Sequence, residues 1–85
     1  MEDELNDLKV TDRKSFVQFM EMLHSDFLKN GNEWENNTLE RFLEAMTAYA
    51  EDIQGYYDNC ENGKNADVSD WNTFADILRG AIVYE

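Results

Sequence analysis

Along residues 37–58 the hydrophobic and acidic side chains separate onto opposite sides of a single helix. At about 100° per residue, Leu39, Phe42, Leu43, Met46, Tyr49, Ala50, Ile53, Tyr56 and Tyr57 fall within one arc, while Glu40, Glu44, Glu51 and Asp58 align on another. The first arc predicts a core face and the second a displayed band of negative charge. Asn37 followed by Glu40 has capping-box spacing, with the glutamate reaching back to the cap N–H, so the helix is expected to start there. Gly55 lies on the solvent arc and the hydrophobic phase runs past it to Tyr56 and Tyr57, which predicts a helix that tolerates the glycine.

Two further segments carry the same period. Phe16, Phe19, Met20, Leu23 and Phe27 recur at three- and four-residue steps, predicting a first helix that begins near Thr11 or Asp12 and ends at Asn30-Gly31, read as a left-handed C-terminal signal. Trp71, Phe74, Ala75, Leu78, Ala81 and Ile82 share a face of a third helix, with Ser69 as its expected cap. Between the helices, residues 31–37 (GNEWENN) and 59–68 (NCENGKNADV) are rich in glycine and asparagine and lack periodicity, so both read as loops. No element is assigned to the VYE ending. The expected fold is all-α: a small three-helix bundle, residues 11–85, with short connections favouring antiparallel neighbours, preceded by an acidic arm over residues 1–10 that is expected to be frayed, having only Leu5, Leu8 and Val10 as anchors.

Length sets a limit on this bundle. A chain of 85 residues with 42% hydrophobic content supports one core, and domains of this size bury only about 60–65% of the surface the unfolded chain exposes. Two tryptophans, four tyrosines and five phenylalanines compensate, because each large ring removes much apolar area from water. A single cysteine, Cys60, cannot form an internal disulfide, and no run approaches the roughly 18 apolar residues of a membrane span. The acidic start, MEDELNDL, lacks the layout of a signal peptide, and a cytoplasmic protein is expected.

Nineteen acidic residues against seven basic ones give a net charge of -12, which opposes binding to nucleic-acid backbones and anionic lipid and favours encounter with a basic protein. The charge is unevenly spread: residues 33–61 hold eight acids and one base, Arg41. Glu40 and Glu44 are like charges one turn apart, an arrangement that costs an isolated helix about 0.2–0.5 kcal/mol. A solvated face explains such a stripe without further function; a docking surface for a basic partner explains why lysines do not interrupt it. Trp34, between Glu33 and Glu35, is either a plug at one end of the bundle, which core size favours, or an exposed anchor. The partner-binding surface expected on these grounds comprises Glu33, Trp34, Glu35, Glu40, Glu44, Glu51 and Asp58.

Other chemistry finds less support. Asp58-Asn59-Cys60-Glu61-Asn62-Gly63 resembles the start of a calcium loop, but Cys60 stands at its third position and Ser69 at its twelfth, so a middle ligand and the bidentate glutamate are missing. His24 and Cys60 are the only soft ligands and cannot assemble a zinc site, and His24 reads as a flanking residue at the edge of the first helix's stripe beside Val17 and Leu28. Cys60 sits in an acidic loop, which blunts its nucleophilicity. Tyr49, Tyr56 and Tyr57 are expected to pack with their phenol ends toward water. No catalytic residue, metal ligand or cofactor is assigned, and no enzyme is expected. The alternative to protein binding is a small-molecule or divalent-cation domain using the carboxylates and tyrosines, with oxygen ligands favouring Ca²⁺, Mg²⁺ or Mn²⁺.

The order SFVQFM, EWENNTLERFLEAMTAYAEDIQGYY, WNTFADILRGAIVYE, covering residues 12–85, resembles a family of small acidic bacterial proteins of unknown function. That resemblance implies no activity, cofactor or residue role. In size and charge the chain also resembles immunity proteins that shield a cell from toxins, a likeness of type that makes a basic toxin the most specific partner expected.

Overall fold

A computed structural model describes residues 7–60 and 63–84. Among them are three α-helices, α1 (Arg13–Asn30), α2 (Leu39–Asn59) and α3 (Trp71–Ala81), with one turn of 3₁₀ helix at Gly31–Glu33 and no strand. The fold is all-α, as the periodicity predicts. Residues 1–6 of the acidic arm, with Leu5, and residues 61, 62 and 85 lie outside the described residues.

α1 begins on Asp12, whose carboxylate accepts from the Ser15 N–H at 2.8 Å while the Ser15 hydroxyl accepts from the Asp12 N–H at 3.1 Å, satisfying two otherwise orphaned donors. The Ser15 N–H holds the Asp12 carboxyl below the usual carboxylate range. The other two caps fall one residue later than the spacing predicts. Thr38, not Asn37, caps α2: its backbone is extended, its hydroxyl accepts from the Arg41 N–H at 3.2 Å, and the Asn37–Glu40 box does not form. Asp70, not Ser69, caps α3, accepting from the Thr73 N–H at 2.7 Å. Gly31 is not left-handed; at φ -58° it carries α1 into the 3₁₀ turn. A β-carbon there would stand 2.9 Å from the Phe27 ring, so close approach rather than torsion explains the glycine.

The core gathers Val10, Phe19, Trp34, Ala75 and Ile82, with Leu8, Phe16, Leu23, Phe42 and Leu78 packed around it. Leu8 and Val10 thus anchor the chain ahead of α1, so the described part of the arm is packed rather than frayed. Arg79 fixes them in place, donating to the Leu8 carbonyl at 2.7 Å and to Asp76 at 2.8 Å while its guanidinium lies 4.7 Å from the centre of the Phe19 ring. α3 packs against both α1 and α2, whereas α1 and α2 touch each other at most marginally. The bundle is therefore open on one side.

The α2–α3 seam is close and tied by polar side chains. A β-carbon on Gly80 would come 2.2 Å from the Tyr49 ring, so only glycine lets the ring lie on the α3 backbone. Asn36 is buried; its amide donates to the carbonyls of Ala81 at 2.9 Å and Tyr84 at 2.8 Å, and its N–H donates to the Ile82 carbonyl at 3.0 Å. The EWEN loop thereby satisfies carbonyls at the end of α3 that have no partner within the helix. The Tyr84 hydroxyl reaches back to Asp52 on α2.

The face α2 buries differs from the predicted arc. Ala45, Ile53 and Tyr57 are buried, while Leu39 (74% exposed), Leu43 (49%), Tyr56 (53%) and Ala50 are open. α3 meets α2 from the Ala45–Tyr49–Ile53 side, and α1 does not cover the other half of the arc. Tyr57 also departs from expectation: it is 2% exposed, and its hydroxyl donates to Asp76 at 2.7 Å instead of facing water. Burial, then the neighbouring Asp76 carboxylate, raises its pKa above the ordinary phenol value.

Candidate functional site

The acidic stripe stands where the helical period places it. Glu40, Glu44, Glu51 and Asp58 are all exposed on α2. Asp58 accepts from the Gln54 amide at 3.0 Å, and the same amide donates to the Lys64 carbonyl while its oxygen accepts from the Ala66 N–H at 2.7 Å, so Gln54 organises the second loop. Glu40, Glu44 and Glu51 form no ion pair with a described residue, although Arg41 lies near Glu44: the ion pairs among the described residues are Lys64–Asp70 and Arg79–Asp76. Glu33 and Glu35 are exposed on either side of Trp34.

Trp34 itself is the plug. It is 8% exposed, its indole N–H donates to the buried Asp26 carboxylate at 2.7 Å, and its rings stack on Phe42 at 5.9 Å and meet Phe27 edge-on at 5.1 Å. Asn30 donates to the other Asp26 oxygen at 3.1 Å. A carboxylate seven residues after Phe19 on the core-facing side of α1 is tolerated because these donors meet it. The pair pins the 3₁₀ turn to α1 and leaves Glu33 and Glu35 facing water.

Beside the stripe lies a feature the sequence reasoning missed. The open seam between α1 and α2 forms an apolar groove of about 460 Å³, floored by Leu23, Trp34, Phe42 and Leu78 and bordered by Met20, His24, Phe27 and Leu39. Met20 and Phe27 are each about two-fifths exposed, and Leu43 extends the apolar wall along α2. On α2 the order around the helix is core face, then a strip with exposed Leu39, Leu43 and Ala50 and half-buried Met46, the last two beside Ile77 of α3, then, about a quarter turn further, Glu40, Glu44 and Glu51. The arc of nine apolar residues on the second helix was the available signal, being wider than one neighbouring helix covers. His24 borders this groove instead of standing idle at the edge of a stripe.

The tyrosines sit on the other side of α2. Tyr49 meets Tyr84 edge-on at 5.0 Å, and burial raises its pKa; Tyr84 is raised by its bond to Asp52. Cys60 is exposed and unoxidised at the end of α2. Among the described residues no three His, Cys, Asp or Glu side chains are grouped to hold a metal ion, and no helix is long and apolar enough to cross a membrane.

A sequence profile of a family of unknown function, DUF7660, matches residues 12–85. The chain belongs to this family. Its match begins at Asp12, the cap of α1, and so takes in all three helices, the groove and the acidic stripe. No curated protein and no solved structure matches the DUF7660 chain.

Proposed function

We propose that this DUF7660 member is a non-enzymatic, cytoplasmic protein-binding module whose contact surface is the outer side of α2 together with the EWEN loop. The observation that carries the proposal is the side-by-side display, on one helix, of unpaired Glu40, Glu44 and Glu51 and uncovered Leu39 and Leu43. Apolar area supplies affinity when it leaves water, and carboxylates at its border select a basic partner and speed encounter. Glu33, Glu35 and Asp58 extend the same field at the two ends of the helix. Trp34 contributes by holding the loop, not by inserting into a partner.

The most specific form of the proposal is an immunity-type inhibitor of a basic toxin, since an acidic surface of this kind covers a site that normally meets phosphate. A chain carrying Glu44→Lys and Glu51→Lys tests the surface. Affinity-tagged wild type, purified from its native cell, is expected to retain a basic protein that the double variant loses, with the helical circular-dichroism signal unchanged. Equal retention of that protein by both chains rejects this face.

A further inference from the structure

We propose that the groove between α1 and α2 receives an amphipathic helix from the partner, with an apolar face seated on Met20, Phe27, Leu39 and Phe42 and lysine or arginine residues along the flank that meets Glu40, Glu44 and Glu51. This rests on the protein-binding proposal and adds the shape and chemistry of what is bound. The groove has the layout that helix-in-groove recognition uses: an apolar channel between two helices, with a polar border that sets register. On α1 the groove runs from Met20 to Phe27, about two helical turns or ~11 Å, which sets the length of apolar face that a bound helix presents.

Charge decides which occupant fits. The glutamates beside the groove on α2 form no ion pair with a described residue, and the chain as a whole carries -12. A second copy would bring a like-charged stripe against the first, and the chain's own start, with Glu2, Asp3 and Glu4, has the same wrong sign. A segment basic on one flank and apolar on the adjacent face satisfies both halves of the site at once. The α1 border, formed by Met20, His24 and Phe27 with exposed Val17 and Leu28 beyond, asks for no charge in return.

The test uses the full chain and a labelled synthetic peptide of about 15 residues, with leucines at helical spacing and lysines along one flank. Fluorescence anisotropy is expected to show saturable binding that weakens about tenfold or more when Leu39 and Leu43 are both changed to Gln, and as much when the peptide lysines are replaced by glutamate. Val68→Gln, at an exposed apolar residue in the second loop and away from the groove, leaves binding unchanged. Undiminished binding by the Leu39→Gln, Leu43→Gln chain overturns the groove proposal, as does equal binding of a peptide with its leucines scrambled out of helical phase, or no binding at all. None of these binding results touches the acidic-face proposal, which charge reversal at Glu44 and Glu51 tests separately. A wild-type chain that sediments as a dimer and becomes a monomer on Leu39→Gln would name a second copy as occupant and overturn the proposal from the other direction.

Discussion

The two seams that α2 borders are built on opposite plans. Against α3 the helix is clamped: Tyr49 lies on the Gly80 backbone, Asn36 donates to two carbonyls at the end of α3, and the Tyr57 hydroxyl reaches Asp76. Toward α1 the same helix leaves exposed Leu39 and Leu43 beside a groove, with no side-chain tie across it among the described residues apart from the rings that meet Trp34. A sequence of this length has apolar area to close one seam well, and the polar residues it spends go where closure is wanted. The difference separates residues that hold the domain together from residues free to meet something else.

That separation can be broken most sharply at the centre. Phe19 is fully buried on α1 and lies under the guanidinium of Arg79 from α3. Phe19→Ala is expected to cost about 3–5 kcal/mol, a large share of the stability such a domain has, and to leave the chain partly unfolded at 37 °C by circular dichroism. A loss below about 1 kcal/mol would mean the core is fluid and that the closed seam is no better packed than the open one.

Asn36→Ala probes the clamp without changing the apolar core. Two carbonyls, of Ala81 and Tyr84, lose their donor while the Asn36 N–H bond to Ile82 survives. A loss of about 2 kcal/mol is expected, seen as a fall of roughly 10 °C in Tm. Hydrogen exchange at residues after Ala81 should quicken more than exchange within α1. Uniform quickening would show that the loop does not act locally on the end of α3.

Tyr57→Phe is the next smaller step and carries a pH signature. The phenol is neutral when protonated, and its pKa is raised in the folded chain by burial and by Asp76. Its contribution is therefore complete below the unfolded-state value of about 10 and is lost as pH rises through the higher folded-state value. Removing the hydroxyl should cost about 1 kcal/mol near neutrality, because Asp76 keeps Arg79 at 2.8 Å, and should flatten the alkaline limb of the stability profile above about pH 10. An unchanged alkaline limb would place the dependence on Tyr49 or Tyr84 instead. At the acid end the depressed pKa values of Asp12 and Asp70 have the opposite sign: the caps contribute fully above the unfolded carboxylate value, and that contribution is lost as pH falls through the lower folded-state value.

How far the chain could be read before its structure follows the same division. Helix number and extent were legible, because the phase of Phe16–Phe27 and of residues 39–57 is a local property, and Gly55 on the solvent arc interrupts nothing. The acidic stripe was legible for the same reason. The caps were off by one at Thr38 and Asp70, since adjacent residues in each pair can all cap and tertiary placement selects between them. Tyr57 and Asp26 were illegible as buried polar residues, because their partners lie 19 and 8 positions away and no spacing announces them. The groove was illegible because periodicity says which side of a helix is apolar, not whether a neighbour arrives to cover it.

Leu39 carries that last point into an experiment with the smallest expected effect. It is an apolar side chain on the predicted core arc, yet 74% exposed, so its removal takes almost nothing from the folded state. Leu39→Gln should change stability by no more than about 0.5 kcal/mol in either direction, a tenth of the effect at Phe19. The two residues look equally core-like by periodicity; only the open seam tells them apart. If urea titration showed a loss above about 2 kcal/mol for Leu39→Gln, the leucine would have to be covered in solution, the two seams would not differ in kind, and the case for a vacant docking face on α2 would go with that difference.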